Sequence, residues 1–306
     1  MPGRRRLEPP PAAIPGMRLQ AWTGRVSIPP MTRHAFLFAA ALAAAAAAAL
    51  LPARAGAACS RPIVVPASSL GRMMTVNEAS GEVGGVYPEL LRERGRRAGC
   101  AFVFPVVPRA RAEAMLRQGE ADLMVGAVQV PERDRWGRYV PMIGTEWMLI
   151  SVDADPPRST EELLARPGIR LNVVRSYNYG PAYLALLARL DKQGKLEYVK
   201  DPQTIARKME IGRANYAYMP SNTFAGALED AGLRESLGRR VHYTRLAGIP
   251  PSTSGVYISR QTAPDDAAQL AAMLEQLSRD GELLARTRKH FTPAEMSSSF
   301  PLPRSR

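Results

Sequence analysis

The sequence predicts an α/β fold, because short apolar runs alternate with amphipathic helical segments along most of the chain. The first round of this alternation runs from Ile63 to Val128, and a second round begins at Trp147. Strands that alternate with helices form mainly parallel sheets, since each helix carries the chain back to the start of the next strand. Two rounds within about 250 residues predict two lobes with separate cores.

In the first round, the predicted strands are apolar runs rich in β-branched residues, and the predicted helices end at a glycine. Gly99 and Gly119 each follow a helical pattern, and glycine commonly ends a helix in a left-handed conformation. Gly81 and Gly85 frame a turn before the first helix. The expected strands are 63–67, 102–107 and 122–128, and the expected helices are 87–98 and 109–118.

The second round repeats the pattern with clearer helix starts. Ser159 or Thr160 caps one helix, Pro181 stands in the first turn of the next, and Gly212 closes a third. Gly281 interrupts the last helical pattern. The expected strands are 147–152, 169–174, 196–199, 216–219 and 255–259, and the expected helices are 160–165, 181–190, 203–211, 223–231 and 265–284.

The amino-terminal segment precedes this pattern. Residues 1–30 are rich in Pro and Arg and have no hydrophobic periodicity, so we expect a non-native or disordered extension. From Met31 a short basic region leads into the apolar run 35–51 and then into small residues, an order typical of a signal peptide. A membrane-spanning helix is the alternative, although about 17 residues is the lower limit for a span. We therefore expect 31–58 to be cleaved and the remainder to be periplasmic.

The charge of the chain argues against nucleic acid as a partner. Residues 1–58 hold seven Arg and one Glu, which leaves 34 basic and 27 acidic residues and a net charge of +7. This excess is spread along the sequence without the clustered basic face of a nucleic-acid-binding protein. It favours a solvated basic surface, with a mild attraction for anionic ligands as the alternative.

The only two cysteines stand before the first two predicted strands. Cys59 precedes the run at Ile63, and Cys100 precedes the run at Phe102. Parallel strands joined by one crossover start at the same edge of a sheet, so a disulfide between the two is expected in an exported protein. Lipidation of Cys59 is the alternative, but Gly56 stands where a lipid-attachment motif has an apolar residue.

Five short segments resemble one protein family, in the same order along the chain. They are the glycine-to-helix entry at 81–91, the helix and strand at 114–123, the Pro-Glu-Arg segment at 130–136, the Gly-Arg segment at 209–216 and the Asp-Gly break at 277–283. Together they resemble the bacterial extracellular solute-binding proteins of family 3, the polar amino-acid-binding proteins that serve ABC importers.

The resemblance implies a two-lobed periplasmic-binding-protein (Venus-flytrap) fold with two mainly parallel sheets joined by two crossover strands. Lobe 1 would hold 59–152 and 256–306, lobe 2 would hold 153–255, and the hinge would lie near 149–153 and 255–259. It also implies a monomer that closes on a small-molecule ligand and delivers it to an ABC permease in the inner membrane.

Arg133 and Gln129 are the first candidate ligand-binding residues. Arg133 follows the third strand at its carboxyl end, where ligands bind in open α/β sheets, and a guanidinium can hold a carboxylate by two hydrogen bonds. In the family that the chain resembles, this Arg grips the ligand carboxylate; the alternative is a surface Arg. Gln129 is the only polar side chain in 125–130.

The second group of candidates comes from the starts of two helices. Ser176, Tyr177 and Asn178 lie between a strand and a helix, where backbone N–H groups bind anions and where capping residues are equally common. Arg109 is the first residue of a predicted helix, where a positive charge is unfavourable for the helix dipole. We therefore expect its side chain either to bind an anion in the cleft or to lie in solvent.

The chain also departs from the family pattern. Pro220 stands where the family has the Asp that pairs with the ligand ammonium, so a free α-amino acid is not the expected ligand. Glu78 is the candidate substitute, although it is equally a solvated loop acid. The expected ligand carries a carboxylate.

Catalysis is not expected. His242 and His290 are isolated, so neither metal spacing nor a nucleophile triad is present, and we expect no catalytic residue, metal or cofactor. A dehydratase on the same fold is the enzymatic alternative and would need a cleft acid, for which Glu78 and Glu146 are the candidates. A sensing or partner-docking protein is the other alternative, and the sequence does not separate it from transport.

Overall fold

The computed structural model describes residues 58–77 and 79–300, so the extension 1–30, nearly all of the predicted signal peptide and Glu78 lie outside the described residues. Within that part the chain forms twelve strands and ten helices. The strands are β1 (Ile63–Val64), β2 (Thr75–Val76), β3 (Val83–Gly84), β4 (Phe102–Val103), β5 (Leu123–Val128), β6 (Gly137–Thr145), β7 (Met148–Ser151), β8 (Leu171–Val174), β9 (Leu196–Val199), β10 (Tyr216–Met219), β11 (His242–Thr244) and β12 (Ser252–Ser259).

The helices of the same residues agree closely with the amphipathic segments of the sequence. They are α1 (Val86–Ala98), α2 (Arg109–Gln118), α3 (Pro131–Asp134), α4 (Thr160–Ala165), α5 (Pro181–Lys192), α6 (Pro202–Glu210), α7 (Ser221–Asp230), α8 (Pro264–Arg279), α9 (Glu282–His290) and α10 (Pro293–Ser299). None of the helices in residues 58–77 and 79–300 is long and apolar enough to cross a membrane. The predicted α/β fold is confirmed.

Two separate hydrophobic cores divide the described residues into two lobes. One core takes its buried side chains from 63–143 and 256–300, and the other takes them from 147–249 together with Val128. We call the parts around these cores lobe 1 and lobe 2.

The sheets combine the predicted parallel pairs with antiparallel strands. In lobe 2 the strand order is β11-β7-β10-β8-β9, in which β8 is parallel to both of its neighbours while β7 is antiparallel to β10 and β11. In lobe 1, β1 and β4 are parallel, and β12 lies antiparallel between β5 and β6.

Hydrogen bonds and a disulfide connect the start of β1 to the rest of lobe 1. The buried carboxylate of Asp122 accepts two hydrogen bonds from the Arg61 guanidinium, one from the Val64 N–H and one from the Thr262 hydroxyl. Beside it, Cys59 and Cys100 form a disulfide with their Cα atoms 4.8 Å apart. The predicted disulfide is confirmed, and its reason is visible, because the parallel pair β1 and β4 brings the two preceding residues together.

The two connections between the lobes run side by side. They lie at 146–147, between β6 and β7, and at 245–251, between β11 and β12, a few residues before the segments expected from the sequence. Glu146 is buried and accepts two hydrogen bonds from Arg245, at 2.9 and 3.0 Å, and the Trp147 indole donates to the Ser252 hydroxyl. These bonds tie one connection to the other at the hinge.

The last helix of the described chain reaches from lobe 1 to lobe 2. Helix α10 starts with a capping box in which Thr292 and Glu295 bond each other's backbone N–H. At its other end Ser299 Oγ lies 2.6 Å from Ser221 Oγ and accepts a hydrogen bond from the Asn222 N–H at the start of α7. The start of α7 is thereby held against lobe 1.

Candidate ligand-binding cleft

Two adjoining cavities lie between the lobes. The small cavity, of about 60 Å³, is lined mainly by apolar and aromatic groups and by Arg109, Arg133, Trp147, Tyr177, Tyr179 and Asn222. The wide cavity, of about 870 Å³, has a mixed lining that includes the polar and charged residues Ser68, Asn77, Glu82, Lys200, Asp201 and Arg207. Arg109 and Tyr177 line both, so they stand at the passage from one cavity to the other.

Arg109 is a buried cation at this passage. It is the first residue of α2 and is only 5% exposed. Its Nη1 and Nη2 donate to the carbonyl oxygens of Val125 and Gly126, while its Nε has no hydrogen-bond partner among the described residues. Burial, and then repulsion from Arg133, lower the pKa of this guanidinium, although an arginine stays charged in proteins. The site therefore holds a charge whose hydrogen-bonding capacity is incompletely used.

Arg133 lies in the same cavity but is engaged by the protein. Its Nε and Nη2 donate to the two carboxylate oxygens of Glu113, at 3.0 and 3.2 Å. Its Nη1 donates to the Val128 carbonyl, and its Nη2 also donates to the Ser176 carbonyl of lobe 2 at 3.0 Å. The guanidinium that we expected to bind a ligand carboxylate is thus bound to the carboxylate of Glu113. Its hydrogen bond to Ser176 also forms one contact between the lobes.

The charges of the small cavity do not balance. Two guanidinium groups, of Arg109 and Arg133, face one nearby carboxylate, that of Glu113, and that carboxylate is hydrogen-bonded to Arg133. Among the described residues that line the cavity, none is Asp or Glu. A buried charge without a partner is costly, so the cavity is set to bind an anion.

The loop before α5 forms the lobe 2 side of the small cavity. The predicted site residues Ser176, Tyr177 and Asn178 all line it. Ser176 adopts a left-handed conformation with φ of 66°, unusual for a residue other than glycine, and its carbonyl accepts a hydrogen bond from Arg133. Asn178 accepts a hydrogen bond from the Gly180 N–H and so forms a turn before α5, whereas no side chain caps that helix as the alternative supposed.

A stack of aromatic rings supports this loop. Trp147 and Tyr179 lie nearly parallel with ring centroids 4.1 Å apart, and Tyr183 and Tyr218 continue the cluster into the core of lobe 2. The Tyr179 hydroxyl is buried without a hydrogen-bond partner among the described residues. Burial raises the pKa of Tyr179 well above its ordinary value, so the hydroxyl remains neutral and able to donate.

Gln129 is a predicted site residue that the structure does not bring into the small cavity. Gln129 is exposed, and its amide donates to the Asp134 carboxylate, so it does not line either cavity. Glu78 lies outside the described residues, and its neighbours Asn77 and Ala79 line the wide cavity. Pro220 does line the small cavity, directly before α7.

Several lining residues were not predicted from the sequence. Trp147 and Tyr179 look like ordinary core aromatics in the sequence, and only the fold places them at the cavity wall. Asn222 follows Pro220 at the start of α7, and its Oδ1 is buried without a partner among the described residues. In the wide cavity, Asp201 caps α6 through the Thr204 N–H, a strand-to-helix position that could have been found in the same way as 176–178.

The lobes touch each other around the cleft. The Tyr177 hydroxyl of lobe 2 donates to the Ser69 carbonyl of lobe 1 at 3.2 Å, and Arg72 pairs with Glu229 at 2.7 Å. The backbones of the two lobes also meet at Gly71 and Gly226, where a Cβ atom on Gly226 would lie 2.5 Å from the Gly71 Cα. Glycine at both positions allows the backbones to meet.

The fold of this chain is similar to that of periplasmic binding proteins. A histidine kinase sensor domain with similarity to such proteins is 16% identical, with a TM-score of 0.61 over 76% of this chain and 96% of that chain. EhuB, solved with hydroxyectoine, is 18% identical, with a TM-score of 0.61 over 78% and 91% of the two chains. An ancestral amino-acid-binding protein, a precursor of cyclohexadienyl dehydratase, is 17% identical, with a TM-score of 0.59 over 76% and 95%.

No protein-family model matches this sequence, and no curated protein matches it either. At identities this low the structural similarity establishes the fold alone. The two-lobed periplasmic-binding-protein fold implied by the sequence resemblance is therefore confirmed, and the ligand has to be inferred from the cleft itself.

Proposed function

We propose that this chain is a periplasmic solute-binding protein that captures a small carboxylate between its lobes and delivers it to an ABC importer. The observation that carries this proposal is the unbalanced buried charge of the small cavity. Arg109 is buried in the cleft and its Nε has no hydrogen-bond partner among the described residues, while the neighbouring carboxylate of Glu113 is hydrogen-bonded to Arg133. An anion that enters between the lobes supplies the missing charge and hydrogen-bond acceptor, and so favours the closed state.

A binding role fits the cleft better than catalysis does. A dehydratase needs an acid or base of suitable pKa at the reacting atoms. Glu146, one candidate from the sequence, is paired with Arg245 at the hinge, and the described residues that line the small cavity include no Asp or Glu. Among the described residues, the small cavity therefore offers positive charge and hydrogen bonds, which hold a ligand, and the carboxyl groups of the cleft, such as those of Glu82 and Asp201, line the wide cavity instead.

A matched set of acids and amides tests the proposal. Acetate, propionate and lactate should raise the melting temperature of the purified protein, while acetamide, propionamide and lactamide should not. At a concentration about 100 times Kd, binding adds about 2.7 kcal/mol to the free energy of unfolding, which corresponds to roughly 5–10 °C for a protein of this size. Equal shifts with acids and amides, or no shift with any acid, would contradict the proposal.

A sensing role is the second candidate, and the similarity to a histidine kinase sensor domain favours it. The two roles predict the same cleft but different consequences of ligand capture. Uptake of the radiolabelled ligand should fall when the gene is deleted if the protein serves an importer. Unchanged uptake with a lost transcriptional response to the same ligand would support the sensor instead.

A further inference from the structure

The small cavity is lined by four residues with a polar group that the protein leaves without a hydrogen-bond partner. Among the described residues, no group pairs with Arg109 Nε, Asn222 Oδ1 or the hydroxyls of Tyr87 and Tyr179, although all four residues are buried and line this cavity. Buried polar groups in native proteins are normally hydrogen-bonded, so four such groups at one cavity indicate a ligand that satisfies them.

The four groups differ in what they can hold. Arg109 is a charged donor, which suits a carboxylate. The hydroxyls of Tyr87 and Tyr179 donate or accept, and the Asn222 amide is uncharged in either orientation of its oxygen and nitrogen. A ligand hydroxyl also donates and accepts, so it can satisfy the amide and the phenol together.

An ammonium group does not fit the same place. It would lie in a cavity lined by two guanidinium groups and, among the described residues, by no carboxylate. Burying a charge beside like charges, without an opposite charge, is strongly unfavourable. The amide of Asn222 offers a hydrogen bond but cannot compensate the charge.

The small cavity also favours a short ligand. Its volume is about 60 Å³, against about 870 Å³ for the wide cavity that it adjoins. Lactate is a short acid that carries both a carboxylate and a 2-hydroxyl.

We propose that the small cavity is specific for a short 2-hydroxycarboxylate. The carboxylate binds at Arg109, and the 2-hydroxyl binds at Asn222 and Tyr179. This inference rests on the proposed function, since it names the class of ligand that the cleft captures. The feature of the ligand that the protein selects is its 2-hydroxyl, a neutral hydrogen-bond donor.

Three ligands with the same carbon skeleton test the selection. Calorimetric titration of the full protein with lactate, propionate and alanine compares a hydroxyl, a hydrogen and an ammonium at the same carbon. Lactate should bind at least about tenfold more tightly than propionate, because propionate leaves the amide and phenol unsatisfied. Alanine should bind at least about a hundredfold more weakly than lactate.

Each outcome of this titration decides between the two proposals. Equal affinity for lactate and propionate would overturn the hydroxyl selection while leaving carboxylate capture intact. Tighter binding of alanine than of lactate would overturn it as well. If none of the acids binds, both this inference and the proposed function are wrong.

Asn222→Asp provides an independent test in the protein. A carboxylate at this position should repel the 2-hydroxycarboxylate and attract an ammonium, so lactate should bind at least about tenfold more weakly and alanine at least about tenfold more tightly. Asn215→Asp is the matched control, since Asn215 stands at the opposite end of β10 and bonds Arg170 and Gly168 away from the cavity. Equal changes of the lactate-to-alanine ratio in both variants would overturn the assignment.

Discussion

The small and the wide cavity adjoin each other between the same two lobes, yet they are built differently. The wide cavity is lined by acids and bases together, among them Glu82, Lys200 and Asp201, whose charges can balance one another. The small cavity has two arginines and, among its described lining residues, no acid. On the proposed function, this difference assigns affinity and selectivity to the small cavity and leaves the wide cavity as the access to it.

Replacing the cation of the small cavity should have the largest effect on lactate affinity. Replacing a cation of the wide cavity in the same way shows whether the two cavities differ in their contribution to binding. Arg109→Met removes the buried cation, and we expect the Kd for lactate to rise about a hundredfold or more. The free energy of unfolding of the empty protein should stay within about 1 kcal/mol, because relief of a buried charge offsets the loss of its bonds to Val125 and Gly126.

The matched variant in the wide cavity is Lys200→Met. Lys200 is exposed and pairs with Asp201 at 3.4 Å, so its removal should change the Kd for lactate by less than about threefold. Calorimetry on both variants measures the difference. Equal losses at Arg109 and Lys200 would mean that the ligand binds in the wide cavity.

Neutralising the carboxylate beside Arg133 should sharpen the difference. In Glu113→Gln a second guanidinium loses its counter-charge, so we expect lactate to bind about tenfold more tightly while the unfolding free energy falls by about 1–2 kcal/mol. Glu120→Gln is the control, because the Arg111–Glu120 pair is exposed and should contribute less than about 1 kcal/mol. Weaker lactate binding in Glu113→Gln would show that Glu113 instead positions the arginines.

The approach of the lobes should contribute the smallest of these effects. Gly226→Ala places a methyl group against Gly71 across the cleft, and we expect it to weaken lactate binding by about three- to tenfold by opposing closure. Gly95→Ala is the control, since its methyl group would meet Cys100 and Phe102 within lobe 1. That variant should lower the melting temperature without a change in the Kd for lactate. Weaker lactate binding in Gly95→Ala together with unchanged binding in Gly226→Ala would exclude the Gly71–Gly226 contact from closure.

The sequence predicted most of the elements because their boundaries are local. Helix α4 and strands β9 and β10 have the predicted bounds, since caps, prolines and glycines mark where each neighbouring element ends. Strand β6 was missed because Pro141 and Gly144 interrupt its β pattern. Helix α10 was also missed, although Thr292 and Glu295 form a capping box that is visible in the sequence.

The site was predicted only in part because its chemistry depends on tertiary pairing. In the structure Glu113 binds Arg133 from another element, a partner that position along the chain does not specify. Among the described residues, Arg109 is thereby left without a carboxylate that accepts its hydrogen bonds. Tyr179 and Asn222 reach the cavity through the packing of lobe 2 and the position of its helix α7, which no local pattern specifies.

The position of a bound anion is the most direct test of the account. A crystal structure of the lactate complex should place the carboxylate about 3 Å from Arg109 Nε, with the Arg133–Glu113 pair unbroken and the hydroxyl beside Asn222. A carboxylate bound to Arg133 with Glu113 displaced, or one bound in the wide cavity, would contradict the claim that Arg109 is the cation awaiting a ligand.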